Sequence, residues 1–428
     1  MSGLASAIGT TPLAASGSER SEDRRFAEGL REDYQRFFIE SWEAHSGAIL
    51  LVLLLMALMV KGTFWGVFGG LRLWGDWFNN LIGLGPLLNI KTSLESPLAH
   101  RMSLMNIVLV FGALSAALLS RQFSLYRAPK LEYVWGALGG TLMGMGATLA
   151  GGCTTGGFFT PAMASSPAGW AMGAGLMAGA IIGLKLLLWT LEHISWGTQA
   201  PATIDLPLQR AFPVLGLLLI LAVVAWSITW SHGSDQRLAG HAVPIIIGFA
   251  MGFVMQRSRL CFSRAFREPF MTGEGSMTKA IILALAIGIP AATLIVGKKL
   301  ADPLDAIPAT FWLGSLSGGL LFGIGMVFAG GCASGALWRA GEGHLKLWLA
   351  LAFFAWSGST FTGVLSFWNV LDRDTGDNNL DFTKLGNQAY LKDMLGSDEA
   401  ALMVGLGILL LWYLWVRYNE STERFTVA

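Results

Sequence analysis

Charge and cysteine are what this chain has least of. Only 13% of its 428 residues are charged, about half the roughly 25% of an ordinary soluble domain. Lys and Arg (29) nearly cancel Asp and Glu (28), so no bulk basic field invites nucleic acid and no acidic excess marks a solvated chain. The three cysteines, Cys153, Cys261 and Cys332, stand far apart, which excludes a disulfide framework and a CxxC redox or metal pair and leaves at least one thiol unpaired within the chain. The six histidines show no HxxxH or other ligand spacing, no GxxxxGK[ST] loop is present, and no local signature assembles a Ser/His/Asp nucleophile. A metal centre, a P-loop nucleotide site and a hydrolase are disfavoured, and no cofactor is expected.

What fills the chain instead is apolar: 53% of residues are hydrophobic and the mean hydropathy is +0.55. A helix crosses hydrocarbon with about 17–25 residues. Ten segments approach that length: Ala48–Val60, Leu104–Leu119, Tyr133–Ala150, Ala168–Thr190, Phe212–Trp230, Pro244–Met255, Ala280–Val296, Thr310–Ala329, Leu345–Gly363 and Ala401–Val416. The expected fold class is therefore an all-α polytopic membrane protein with about ten membrane helices. Thr63–Gly70 and Phe158–Pro167 are apolar but broken by Gly or Pro. Lipid could not satisfy such backbone, so they are expected as half-helices or re-entrant segments buried in protein.

Met1–Arg20 lacks a basic start and a continuous apolar core, so no cleaved signal peptide is expected. In Ser21–Ala44, Phe26, Leu30, Tyr34, Phe37, Phe38 and Trp42 recur at three- and four-residue spacing. That pattern fits an amphipathic helix at a membrane surface and equally a helix covering a soluble face. The expected organisation is a cytoplasmic polar tail and interfacial helix over 1–44, a first membrane repeat over 45–200, a second over 201–370, and an acidic loop with a C-terminal membrane helix over 371–428. Lys and Arg in the short loops at Arg121–Lys130 and Arg257–Arg267, and after Val416, favour cytoplasmic N- and C-termini, with Lys298 and Lys299 pulling the other way.

Glycine is abundant, 54 residues, and recurs at four-residue spacing as in Gly140/Gly144, Gly175/Gly179/Gly183 and Gly319/Gly323. Small residues so spaced let helix backbones approach closely within lipid. One glycine-rich stretch occurs twice. GGTLMGMGATLAGGCTTG from Gly139 aligns without a gap on GGLLFGIGMVFAGGCASG from Gly318, with ten identities in 18 positions. Counted from one glycine-rich helix to its partner, the copies are five expected spans apart. An odd number inverts the second against the first, which gives two inverted five-span repeats around a central pore, as many transporters have. Cys153 and Cys332 would then lie at equivalent depths on opposite sides of the membrane centre. Cys261 sits beside several arginines in QRSRLCFSRAFRE, and the three thiols could line one axis.

A thiol is a weak donor with a polarizable sulfur, and glycine-rich turns offer successive amide N–H groups that suit anions. The candidate substrate path is Cys153, Cys261 and Cys332 with Gly151, Gly152, Thr154, Thr155, Gly156, Gly330, Gly331, Ser334, Gly335 and Arg259. Such a set suits a small oxyanion with one soft end, of which thiosulfate is the natural candidate. The same cysteines read equally as small packing residues, and the arginines as loop charges.

Around AGGCTTGG, RSRLCFSRAFRE and LLFGIGMVFAGGCASGALWRAGEG the chain resembles the YeeE/YedE family of sulfur-compound transport proteins. KGTFWGVFGGLRLWGDW and SPLAHRMSLMNIVLVFGA resemble its YedE-like branch. The resemblance implies import of thiosulfate across the bacterial inner membrane, with cysteines passing the ion by non-covalent S–H contacts. It also implies a small cytoplasmic sulfur carrier of the TusA kind as partner. Thiosulfate transporters of this family carry a further thiol in the first half, where Gly69–Leu81 has none. A selenium compound is therefore an alternative cargo. A membrane sulfurtransferase or redox relay working through a persulfidated Cys is the alternative activity.

Overall fold

The computed structural model describes residues 28–29, 31–193, 202–204, 207, 209–372, 381–382 and 384–427. Most of the polar tail, with Phe26 and Leu30, and most of the acidic loop lie outside them. The chain divides into Met1–Glu40 and Ser41–Ala428. Within the first, the described part ends in a short π-helical turn, Gln35–Ile39.

Ser41–Ala428 is helical almost throughout. Its longer helices are α1 (Ala44–Val60), α2 (Phe68–Leu81), α3 (Arg101–Leu119), α4 (Lys130–Leu149), α5 (Pro167–His193), α6 (Phe212–Ser231) and α7 (Ala242–Arg257). They continue as α8 (Phe262–Met271), α9 (Ser276–Gly297), α10 (Leu313–Ala329), α11 (Ala333–Glu342), α12 (Leu345–Phe367) and α13 (Asp398–Thr422). Among the described residues eight helical segments are long and apolar enough to cross a membrane by length and composition. Two of these run on through short helices, α7 into α8 and α10 into α11. All ten expected spans fall on helices, the ninth and tenth being the 17-residue α1 and glycine-rich α4. Both lie against other helices: α1 on α7 and α9, α4 on α10 and α12. The protein is a multi-pass membrane protein.

The element order recurs. Each series has a long helix (α1, α7), a shorter one (α2, α8), two long helices (α3 and α4, α9 and α10), a short piece after a cysteine, and two more long helices. The short piece is Thr154–Met163 in the first series and α11 in the second. Packing partners recur too: α1 with α9 and α7 with α3, α5 with α10 and α12 with α4, α6 with α3 and α13 with α9.

Where α4 crosses α10 the glycines decide the distance. A Cβ on Gly139 would stand 2.6 Å from the Gly325 oxygen, and one on Gly146 would stand 2.6 Å from the Gly318 oxygen. These pairings run in opposite directions along the chain, so the two helices cross antiparallel. Gly139 aligns with Gly318 and Gly146 with Gly325 in the sequence repeat, so each contact maps onto the other when the copies are exchanged. The three thiols lie in the one large apolar core.

Candidate functional site

Both cysteine turns are built the same way from the backbone up. Helix α4 ends at Leu149, is capped by Ala150, and Gly151 turns out at φ +69°; α10 ends at Ala329 and Gly330 turns out at φ +83°. Only glycine adopts this left-handed conformation without strain, which is why the turn needs it there. Two residues later comes an extended cysteine that starts the short helix: Cys153 before Thr154–Phe159, and Cys332 before α11. The Gly157 N–H donates to the Cys153 carbonyl at 2.7 Å, and the Ala336 N–H to the Cys332 carbonyl at 2.7 Å. Each thiol faces a hydroxyl two residues on, Thr155 at 3.0 Å and Ser334 at 3.6 Å. The Gly335 N–H also donates to Cys332 Sγ at 3.3 Å.

The structure brings Cys261 to Cys332. Cys261 stands just before α8, both thiols are buried and free, and both flank Gly335. A Cβ on Gly335 would meet Cys261 Sγ at 2.8 Å and Cys332 Sγ at 3.2 Å. Cys153 lies on the neighbouring short helix, which touches α11. Between its turn and α8 stand Phe159 and Phe262, edge to face with ring centres 5.2 Å apart. All three cysteines are 0% exposed, so this conformation is closed to solvent at the thiols.

Arg259 sits just before Cys261 and holds the loop rather than reaching a thiol in this conformation. Its guanidinium meets Glu342 Oε1 at 2.6 Å, donates to Gln122 Oε1 at 2.8 Å, and lies 5.7 Å from the Trp338 ring centre. Arg339 stands 5.1 Å from the same ring centre and donates to the Gly330 carbonyl at 3.0 Å. The Trp338 Nε1–H donates to the Leu260 carbonyl at 3.0 Å. One half-helix thus carries Cys332 and grips the segment that carries Cys261.

Comparison with known proteins decides the family. The family described as "Sulphur transport" matches residues 4–182 and 257–427, most of the chain. The chain belongs to the sulphur transport family. Among curated relatives, the "Probable transporter YedE" of Escherichia coli is 30% identical over 302 residues, covering 68% of this chain and 73% of the relative. The protein of that name from Salmonella typhimurium is 29% identical over 306 residues, with the same shares. The "Thiosulfate transporter TsuA" of Escherichia coli is 40% identical over 108 residues, 25% of this chain and 30% of the relative.

As a member of this sulphur transport family the chain is a transport protein, and its sequence motifs pointed to the two cysteine turns described above. They did not locate the first-half counterpart of Cys261. In the second series Cys261 stands against Gly335; in the first, Gly66 stands against Gly156, the two backbones so close that a Cβ on Gly156 would lie 3.3 Å from Gly66 Cα. The counterpart is therefore Gly66, before α2 begins, and not a position within Gly69–Leu81. An offset in loop length between the copies hid it. The Glu342 clasp was also unseen, because nothing in the sequence ties Glu342 to Arg259 across 83 positions.

Glu342 is buried at 1% exposure. Arg259→Ala leaves that carboxylate without its guanidinium and should lower stability by about 2 kcal/mol. Removing one partner of a fully sequestered pair costs about 3–5 kcal/mol. The smaller value applies because Arg259 is half-exposed and His344 Nε2 remains 3.6 Å from Glu342. Thermal unfolding in detergent checks it: adding Glu342→Gln to Arg259→Ala should restore much of the lost Tm.

Proposed function

We propose that this protein imports thiosulfate, or an oxyanion with the same soft end, across the bacterial inner membrane, handing it from Cys153 to the Cys332–Cys261 pair by non-covalent contacts. The observation that carries the reading is the placement of the Cys261 and Cys332 sulfurs on either side of Gly335, within a duplicated thiol turn. A single buried cysteine is ordinary packing. Three thiols on neighbouring elements, each just before the first turn of a helix, suit a guest with a sulfur at one end and oxygens at the other. The relatives named thiosulfate transporters support this choice of cargo.

Inversion of the two series is part of the proposal. Five long helices in each and the antiparallel crossing of α4 with α10 support it, and it puts the cysteine turns on opposite sides of the membrane centre. Both termini then face the cytoplasm, where a TusA-like carrier protein would receive the sulfur species.

Purified protein in liposomes tests the cargo. Uptake of labelled thiosulfate should be saturable, and excess unlabelled thiosulfate should compete at least about tenfold more effectively than sulfate, whose oxygens alone cannot use a thiol donor equally well. Equal competition by sulfate would overturn the choice of a soft-ended anion. Stronger competition by selenite would assign the cargo to selenium. Mass spectrometry of the protein after turnover should find no added sulfur on any cysteine, because the contacts are non-covalent.

A further inference from the structure

We propose that Gly66 and Trp65 form a selective chamber beside Cys153, in which Gly66 sets the room for the guest and the Trp65 indole N–H binds its oxygens. This rests on the thiol route above and adds the place where the ion is sized before it reaches that route. Trp65, Gly66, Met102, Gly151, Gly152 and Gly156 are among the walls of a cavity of about 60 Å³. A water needs roughly 10–15 Å³ by this measure, so the space holds about four to six waters, close to one ion of five heavy atoms such as thiosulfate.

Nothing in the fold requires glycine at 66. Its φ is not among the positive ones. A Cβ there would find Gly156 Cα at 3.8 Å and Met102 Sδ at 4.0 Å, ordinary van der Waals contacts. Gly70, one turn along, differs: a Cβ there would lie 2.6 Å from the Ser103 nitrogen. The bare position at 66 therefore leaves space in the cavity rather than relieving a clash. Across the pseudo-equivalent site that space is taken by the Cys261 side chain against Gly335. One thiol turn is crowded by a second thiol, and the other is hollow.

The hollow also has an unmet polar demand. Trp65 is 2% exposed, and its Nε1 has no hydrogen-bond partner. Buried donors are normally paired with protein or water, so the orphan indole N–H on a residue that walls the chamber points to an absent acceptor. An oxyanion supplies several. A larger space of about 510 Å³ adjoins the chamber, sharing Phe64, Met102 and Asp305 as walls, and is bordered by Arg101 and Arg237. The two spaces share part of their walls, and Glu95 borders the larger one beside the arginines.

The test is thiosulfate uptake by Gly66→Ala, Gly66→Val and Trp65→Phe proteins in liposomes, each first shown to be monodisperse and to insert as the parent does. Trp65→Phe keeps the ring and removes the donor, and should raise KM about tenfold, the scale of one hydrogen bond to a charged group, with Vmax changed less than twofold. Gly66→Ala should reduce uptake at low thiosulfate by about threefold, and Gly66→Val, which overfills the chamber, by tenfold or more. Gly66→Ala carries the test if the valine variant does not fold. Unchanged KM and Vmax in both Gly66→Ala and Trp65→Phe would overturn the chamber while leaving the thiol route standing, provided Cys153→Ala still stops uptake. If Cys153→Ala also transports normally, the route itself has failed.

Discussion

Cys332→Ala should lower thiosulfate uptake by about 10- to 150-fold while the protein still inserts and purifies as the parent does. The range is the roughly 1.5–3 kcal/mol of a hydrogen bond to a charged group, here a donor to an anion that has left water behind. Alanine removes the S–H group and also the sulfur that accepts the Gly335 N–H at 3.3 Å. Cys332→Ser is the discriminating companion. A hydroxyl keeps the helix cap, so stability should match the parent. It is a harder, shorter group, so uptake should still fall severalfold. Cys153→Ala should behave like Cys332→Ala, with its Thr155 hydroxyl contact at 3.0 Å lost. Full uptake by both alanine variants would remove the thiols from the transport path and leave them as core packing.

Gly146→Val should prevent recovery of folded protein. A Cβ at 146 would sit 2.6 Å from the Gly318 oxygen and 2.6 Å from the Phe322 nitrogen, and one at Gly318 would meet the Gly146 oxygen at 2.5 Å. These neighbours are backbone atoms of a facing helix, which cannot rotate aside as a side chain can. The α4–α10 crossing must open, and the penalty should exceed the about 1–3 kcal/mol usual for an overpacked core. Size-exclusion chromatography of detergent extract should then show aggregate in place of the parent peak. Gly331→Ala is the contrasting case, with its nearest atom at 3.8 Å, and should run as the parent. Parent-like behaviour of Gly146→Val would mean that α4 and α10 do not meet at these glycines.

The spans were legible because lipid imposes one requirement, a long apolar run with its backbone satisfied internally, and the ten runs each became a helix. The broken segments were legible for the opposite reason. The prolines in FFTPAMASSP could not face lipid, and Thr160–Met163 is indeed a short, buried helix beside α5. The thiol turns could be read from duplication, since Gly151 and Gly330 each need a left-handed backbone at the same place in the copied sequence. What could not be read was distance between elements. Cys261 and Cys332 are 71 positions apart, and whether they touch depends on how α8 begins and on Trp338 holding the Leu260 carbonyl. The same holds for Gly66, whose lack of a side chain says nothing until Gly156 is placed against it.

The sequence alone determined that this is a polytopic helical membrane protein built from two related series, each carrying a glycine-flanked cysteine at the end of a glycine-lined helix. Composition, span length and backbone conformation are local properties, and local properties survive in a string of letters. The tertiary structure decided that two of the three thiols form a pair, that Arg259 clasps Glu342, and that one thiol turn is hollow where the other is filled. These depend on contacts between segments far apart in sequence, and their geometry follows from how closely glycine lets the helices pack.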